Sequence, residues 1–253
     1  MIEIDGHSLS LEEIQRVVFG KEEVSLSEAS VDQIALSRKW VEGIIQRGKP
    51  VYGINTGFGP LCTTLISEED TKTLQYNLLK SHSVGLGEIL SPRMAKLMMI
   101  LKVHALAKGF SGISIKTLER IIWHIEEEII PCVPEQGSVG ASGDLAPLAH
   151  LFLPLIGLGQ VWVDDNIFET GELFNKLNIE AIDLGPKEGL ALINGTQFIA
   201  AHGLKVIERL QNCLDHADII AAMNLEAMMG SVKSFDPELH AIRPYAGNRY
   251  VAM

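Results

Sequence analysis

The sequence predicts a mainly α-helical protein, built from long helices with a few short strands. The composition is one reason: 47% of the 253 residues are hydrophobic, but only 6% are aromatic. A second reason is that apolar residues recur at the three- and four-residue spacing of a helix along most of the chain. A third is that helix start and stop signals recur between these periodic stretches.

Two helices of the first half are marked by their start signals. Ser10 and Glu13 have the spacing of a capping box, and Gly20 closes the helix that follows. Ser91 and the proline after it begin another, since serine caps a helix and proline fits its first position. We expect this helix to end at Gly109.

The remaining elements are predicted from periodicity and from breaks in it. Apolar spacing predicts further helices over 31–47, 69–81, 115–130 and 195–222. The glycine- and proline-rich stretch "KPVYGINTGFGPL" should be a loop, with a short extended piece at Val51 and Tyr52. The apolar run 145–163 reads as buried core, and the alternation after it predicts a hairpin around Asp164 and Asp165.

Charge and composition exclude several classes of partner. The formal net charge is −11 without a block of Lys or Arg, which disfavours nucleic acid and anionic membranes as partners. The three cysteines are scattered and the histidines lack ligand spacing, so no metal site is predicted. The acidic N-terminus has no apolar signal region. We therefore expect a soluble, cytoplasmic protein.

The stretch "GSVGASGDLAP", residues 137–147, does not fit the familiar glycine motifs. A nucleophile elbow requires Gly-x-Ser-x-Gly, and here Asp144 stands where the last glycine belongs. A phosphate loop requires Gly-Lys-Ser/Thr, and a dinucleotide fold requires Gly-x-Gly-x-x-Gly, and neither pattern is present. The loop needs another explanation.

Backbone chemistry offers one. If the loop is held in a tight bend, the amide nitrogen of Gly143 can attack the carbonyl carbon of Ala141 and close a five-membered ring. Gly143 has no Cβ to obstruct this approach, and Ala141 is a small flank. Loss of the Ser142 hydroxyl as water would leave an exocyclic methylidene. Strain of this kind persists only where the surrounding fold enforces it.

This loop resembles the signature of the aromatic amino acid ammonia-lyases, in which Ala-Ser-Gly cyclises to a methylidene-imidazolone (MIO) electrophile. Four further blocks resemble the family in family order: "YGINTGFG" at 52–59, "NLLKSHSVGLG" at 77–87, "KEGLALINGTQ" at 187–197 and "NLEAMMGS" at 224–231. The resemblance covers residues 12–243. It implies MIO as the cofactor, formed autocatalytically from Ala141, Ser142 and Gly143, with no metal or pyridoxal phosphate.

Within the family, the blocks most resemble those of the histidine ammonia-lyases. Ser81 and His82 stand where tyrosine and phenylalanine lyases tend to have His-Leu or Phe-Leu. A histidine at 82 can exchange a hydrogen bond with a substrate imidazole, because each neutral ring has one donor and one acceptor. The resemblance thus implies elimination of ammonia from L-histidine to give urocanate, with His82 as the substrate-binding residue.

The resemblance also implies roles for three other residues. Tyr52 matches the family base that takes the substrate β-proton, on a loop whose glycines would let it move as a lid. Asn194 matches the asparagine that hydrogen-bonds near the MIO oxygen or the substrate. Asp144 either assists or orients the ring, or simply caps the segment that follows it.

Family members continue well beyond the position that matches residue 253. By resemblance, residues 1–110 form an N-terminal helical part with the Tyr52 loop, and 111–253 hold the MIO loop and the start of a central helical bundle. The chain reads as the N-terminal portion of a homotetrameric enzyme. The alternatives are a related aromatic amino acid lyase or aminomutase, and a non-catalytic truncated assembly subunit.

Overall fold

The computed structural model describes residues 1–57, 65–140 and 143–252. They form two compact units, Met1–His202 and Gly203–Met253. The mainly α-helical class predicted from the sequence is confirmed. The division into functional parts at residue 110 stays a prediction.

Helices make up most of the first unit. They are α1 (Leu11–Gly20), α2 (Glu28–Arg47), α3 (Glu68–His82), α4 (Pro92–Ala107), α5 (Ile115–Glu126), α6 (Leu145–Phe152), α7 (Thr170–Leu177) and α8 (Glu188–Ile193). A 3₁₀ turn, Leu153–Ile156, follows α6 directly. The long α9 (Gln197–Ala227) begins in this unit and continues into the second, which also holds a 3₁₀ turn at Val232–Phe235, α10 (Pro237–Ala241) and α11 (Ala246–Ala252).

The strands are short and pair locally or at the edges of helices. They are β1 (Ile2–Ile4), β2 (Val24–Leu26), β3 (Leu86–Ile89), β4 (Ile130–Pro131), β5 (Pro134–Gln136), β6 (Gln160–Val163) and β7 (Asn166–Glu169). β1 pairs with β2 in parallel, β3 pairs with β5 antiparallel, and β6 lies between β4 and β7 in an antiparallel sheet. The β6–β7 hairpin turns at Asp164 and Asp165, both with positive φ, as predicted.

Helix α4 is the centre of the first unit. It packs against α1, α2 and α5 and against β1 and β4. Its buried residues face every direction around its axis and include Met98, Met99, Ile100 and Val103. A helix that is buried all round is typical of the core of a larger protein.

The predicted start signals are present. Ser10 accepts from the Glu13 backbone and Glu13 accepts from that of Ser10, which completes the capping box. Ser91 caps α4 by accepting from the Met94 N–H. Helix α2 begins three residues before its predicted start because Ser27 caps it.

Two predictions about local structure were wrong. The helix predicted over 115–130 ends at Glu126, because Glu128 adopts a left-handed conformation (φ +54°) and Ile130 pairs with Trp162 in the β4–β6 ladder. The extended piece predicted at Val51 and Tyr52 is instead a turn, in which the Ile54 and Asn55 N–H groups both bond to the Val51 carbonyl.

The apolar run 145–163 is buried through α6, the 3₁₀ turn and part of β6, as predicted. By length and composition alone, the helical segment Glu188–Ala227 is apolar enough to cross a membrane. It carries five charged side chains between 205 and 218, however, and each would be costly in hydrocarbon. The charge distribution therefore favours a helix that packs against protein.

Candidate active site

The helices α3, α6 and α8 pack against one another. Helix α8 approaches α3 so closely that a Cβ on Gly189 would lie 2.8 Å from the Gln75 carbonyl oxygen. At one end of each helix stands a residue singled out from the sequence: His82 ends α3, Asp144 precedes α6, and Asn194 follows α8.

Gly143 is the described member of the tripeptide predicted to cyclise, since Ala141 and Ser142 lie outside the described residues. It is buried, and a Cβ at this position would lie 3.1 Å from the Gly195 carbonyl oxygen and 3.8 Å from Asn194 Oδ1. Gly140, just before the tripeptide, has φ +66°, which favours glycine. Gly143 thus lies tightly against the Asn194–Gly195 segment, and any larger residue at 143 would push the two apart.

Asp144 connects this loop to the start of α9 through hydrogen bonds. Its carboxylate is fully buried and accepts hydrogen bonds from the Ser138 hydroxyl at 2.6 Å and from the Ile199 N–H at 3.0 Å. Its own N–H donates to the Gly195 carbonyl at 2.8 Å. One carboxylate therefore joins the start of the loop, the end of the loop and the first turn of α9.

The alternative role of Asp144 as a cap for the segment that follows it is not what the structure contains. Asp144 occupies the N-cap position of α6, but its side chain makes no capping bond to that helix. It accepts instead from the first turn of α9, where a carboxylate also complements the positive end of the helix. Sequence reasoning could not foresee this partner, which is 55 residues away.

Asn194 is exposed and marks the end of α8. Its backbone N–H bonds to the Leu190 carbonyl at 3.0 Å, and its own carbonyl accepts from the Lys102 ammonium at 2.8 Å. Its side-chain amide is left on the exposed side, next to the position of Gly143. An amide there can donate to an oxygen that gains negative charge.

His82 presents an acceptor nitrogen. Its Nδ1 lies 2.9 Å from the Leu78 carbonyl oxygen and 3.1 Å from Ser81 Oγ. A carbonyl oxygen can only accept, so Nδ1 carries the proton in the neutral ring and Nε2 is left as the acceptor. The ring is half-buried. It can therefore accept one hydrogen bond from a ligand N–H.

The segment after His82 is tied to α6 by a second histidine. His150 Nε2 accepts from the Gly85 N–H at 3.0 Å, and burial lowers the pKa of His150, which favours the neutral ring that this bond requires. This contact gives His150 a specific structural task. It fixes the chain between α3 and β3 relative to the helix that follows the reactive loop.

Tyr52 lies on the turn between α2 and α3, and its side chain is 61% exposed. The next residues are buried, and the Asn55 side chain holds the turn by accepting from the Val51 N–H and donating to the Lys49 carbonyl. Phe58 and Gly59 lie outside the described residues, so motion of this loop as a lid stays a prediction. So does the role of Tyr52 as a base.

Other reactive groups near the loop are poor candidates. Cys132 is buried, and burial raises the pKa of its thiol to about 12, which keeps it from acting as a nucleophile. Within residues 1–57, 65–140 and 143–252, no group of three or more His, Cys, Asp or Glu side chains could hold a metal ion.

Sequence reasoning missed Lys102 and Ser138, both of which contact the segments around Gly143. A single lysine inside the apolar run "LMMILKVHALA" is a signal for Lys102, because an unpaired charge is seldom placed in a core without a purpose. Ser138, six residues before Asp144, belongs to no pattern in the sequence that would have predicted its hydrogen bond to that carboxylate.

The chain matches the family model described as "Aromatic amino acid lyase" over residues 9–253. It is 41% identical to a histidine ammonia-lyase of Caenorhabditis elegans, over 99% of this chain and 37% of the relative. It also resembles the crystal structure of histidine ammonia-lyase from Trypanosoma cruzi, with a TM-score of 0.91 and 35% identity, over 99% of this chain and 48% of the other.

A tyrosine aminomutase from Streptomyces globisporus is similar to the same extent, with a TM-score of 0.90 and 35% identity over 99% of this chain and 47% of the other. The chain thus spans about half, or less, of the length of these relatives. Because the family model matches nearly every residue and the fold agrees along the whole chain, the protein belongs to the aromatic amino acid lyase family.

Proposed function

We propose that this chain carries the loop and histidine-binding part of a histidine ammonia-lyase, which eliminates ammonia from L-histidine to give urocanate. One observation carries the proposal: three packed helices have His82, Asn194 and the Gly143–Asp144 segment at one end, since His82 ends α3, Asn194 follows α8 and Asp144 precedes α6. The similarity to relatives named histidine ammonia-lyase supports the choice of substrate.

The residues around Gly143 fit a ring made from the tripeptide. Ring closure joins the Gly143 nitrogen to the Ala141 carbonyl carbon, and two waters leave, one with the Ala141 oxygen and one with the Ser142 hydroxyl. The close approach of the Gly195 carbonyl to Gly143 and the two hydrogen bonds to the Asp144 carboxylate hold the described residues on either side of 141 and 142 in place, which supports a loop constrained enough to cyclise. Ala141, Ser142 and Gly143 would form the MIO group, which would supply an electrophilic alkene for activation of the substrate amine as a leaving group.

The side chains of this chain bind the substrate and move its proton. His82 Nε2 accepts the N–H of the substrate imidazole, which orients the ring and leaves a phenyl ring without an equivalent bond. Tyr52 takes the β-proton, and donors around it must stabilise the phenolate. The Asn194 amide donates to the oxygen that gains charge during ring formation or elimination.

The second unit supports an assembly. Apolar side chains along α9 are exposed, among them Val206 (63%), Ile207 (61%) and Leu210 (57%). Exposed apolar area on this scale favours association with further protein. We propose that the enzyme is a homo-oligomer, a tetramer by family resemblance, and that it acts in the cytoplasm.

Intact mass spectrometry of the denatured chain tests ring formation. We expect a mass two waters below the value calculated from the sequence, and a loss of at most one water in the variant Ser142→Ala, which has no side-chain hydroxyl to lose. Peptide mapping must place the change in the tryptic peptide that contains 141–143. An unmodified mass in the wild-type chain would contradict ring formation here.

Lyase activity is measured with the chain alone and with a polypeptide that supplies the second half of the relatives' length. Urocanate is detected by its ultraviolet absorbance after addition of L-histidine. We expect Tyr52→Phe to lower turnover by about 10²–10⁴-fold, the usual contribution of a general base. We expect the variant His82→Leu to lose activity on L-histidine and to gain activity on phenylalanine or tyrosine.

An aminomutase is the second candidate, because the similarity to tyrosine aminomutase is as strong in fold and identity. The two reactions differ in product, so chromatography of the reaction separates urocanate from a β-amino acid. Assembly with the second polypeptide but no product of either kind would favour the non-catalytic subunit.

A further inference from the structure

Lys102 is a buried lysine without a carboxylate partner. It lies in the middle of α4, is 2% exposed, and makes no ion pair with any residue in the described ranges. Burial lowers the pKa of its ammonium to about 7. A charge in such a place is costly unless it is hydrogen-bonded, which raises the question of what the lysine does.

The same helix offers a comparison. Lys96 is equally buried at 2% exposure, but its ammonium forms an ion pair with Glu128. Its placement is explained by that pair. The position of Lys102 has no such explanation, although both lysines extend from one helix.

The acceptor for Lys102 is the carbonyl of Asn194, at 2.8 Å. This carbonyl lies at the end of α8, where the last backbone oxygens have no partner within the helix and carry the negative end of its dipole. An ammonium at this point complements that charge. It also fixes the orientation of the peptide that joins Asn194 to Gly195.

The next peptide contacts the reactive loop. The Gly195 carbonyl accepts from the Asp144 N–H at 2.8 Å and would be 3.1 Å from a Cβ on Gly143. The Asn194 side chain lies on the same side of the loop. Lys102 therefore reaches the Gly143 end of the tripeptide through two consecutive peptides, joined at Gly195, and two hydrogen bonds.

We propose that Lys102 is a positioning residue for ring formation and for the Asn194 amide, and that its hydrogen bond to the Asn194 carbonyl holds the 194–195 segment against Gly143. The proposal rests on the proposed function. Lys102 itself does not touch the tripeptide, so its effect passes through the backbone that it orients. A misplacement of about one ångström in such a site can cost on the order of 10²-fold in rate.

The test compares Lys102→Met with Lys96→Met. Methionine fills a similar volume without a donor, and removing an unpaired buried charge should leave the fold at least as stable. We expect Lys102→Met to unfold at or above the wild-type temperature, yet to lose its two waters about 10–100-fold more slowly after synthesis. Lys96→Met breaks a buried ion pair, so it should be less stable but should cyclise at the wild-type rate.

A second readout uses molecules that have already cyclised, assayed with the complementing polypeptide. In cyclised Lys102→Met, kcat should fall because the Asn194 amide is misplaced. KM for histidine, which depends on His82, should stay unchanged. Lys102→Gln keeps a neutral donor and should give an intermediate rate. A purely structural lysine would move neither the cyclisation rate nor kcat in a folded variant.

The outcomes separate the two proposals. If the wild-type chain keeps its full mass, the proposed function fails before Lys102 is considered. If the wild type loses two waters and a folded Lys102 variant does so at the same rate, the role of Lys102 is refuted. Loss of folding in both Lys102→Met and Lys102→Gln would assign the lysine to the core and would overturn the proposal as well.

Discussion

Replacing Asp144 by alanine should destabilise the first unit by removing one acceptor that serves two donors. The carboxylate is fully buried and accepts from the Ser138 hydroxyl at 2.6 Å and from the Ile199 N–H at 3.0 Å. Alanine leaves both donors without a protein acceptor. It also removes a negative charge from the first turn of α9.

The magnitude follows from these two bonds. A hydrogen bond to a charged group contributes about 1.5–3 kcal/mol, and since both donors are partly exposed to water, the low end applies to each and the total is about 3 kcal/mol. For a unit of this size, 1 kcal/mol shifts Tm by about 2–4 °C, so we expect a fall of about 6–12 °C. The Tm of Asp144→Asn should lie between those of the wild type and Asp144→Ala, because the amide oxygen can replace only one of the two carboxylate acceptors.

Thermal unfolding followed by circular dichroism measures the effect. Asp183→Ala serves as the control, because Asp183 is an exposed carboxylate and a surface substitution should change the free energy of unfolding by less than about 0.5 kcal/mol. The reasoning is refuted if Asp144→Ala unfolds at the same temperature as this control. The same samples should show the full unmodified mass, because the loop is no longer held at both ends.

Three further predictions concern stability. His124 is buried, and burial lowers its pKa to about 4, so the unfolded chain binds more protons than the folded chain between pH 6.5 and 4. As the pH is lowered through this window, the free energy of unfolding should fall by about 1.4 kcal/mol per pH unit. Urea unfolding should show this pH dependence in the wild type and its loss in His124→Phe, and an unchanged pH dependence in the variant would assign the effect to other groups. Gly112 has φ +74°, and a Cβ there would lie 2.5 Å from a methyl of Val41 in α2. Gly112→Ala should therefore lower the free energy of unfolding by about 2–4 kcal/mol, whereas Gly20→Ala, at a position with open space, should be neutral in the same denaturation assay. Equal midpoints for the two variants would contradict the steric argument. The buried Glu188 carboxylate accepts hydrogen bonds from the Ser114 N–H and the Thr117 hydroxyl, both at 2.8 Å. Glu188→Gln should therefore lower the urea midpoint by an amount equivalent to about 2 kcal/mol in the free energy of unfolding. A midpoint equal to that of the wild type would show that the charge is dispensable.

The sequence was most informative where the determinants of structure are local. The capping box at Ser10 and the proline after Ser91 mark helix starts through contacts within a few residues, and both predictions are confirmed. The prediction over 115–130 was wrong because Ile130 pairs with Trp162, a partner 32 positions away that no local pattern reveals. Elements defined by distant pairing could not be read from periodicity.

The candidate site divides in the same way. The residues proposed to carry chemistry stand in motifs, and His82 and Asn194 were predicted from them. The residues that position them do so across the fold: Lys102 reaches Asn194 over 92 positions and His150 reaches Gly85 over 65. Spacing in the sequence says nothing about such pairs, so they could be identified only once the helices were seen packed together.

The protonation pattern of His82 has a use in chemical labelling. Reagents that acylate imidazole attack the unprotonated ring nitrogen, and in His82 that nitrogen is Nε2, for which the described part of the chain provides no hydrogen-bond donor. The corresponding nitrogen of His150 is engaged with Gly85, and His124 is almost fully buried. If His82 binds the substrate as proposed, bound imidazole should shield this ring from labelling, read by peptide mass, and an empty site should leave it reactive.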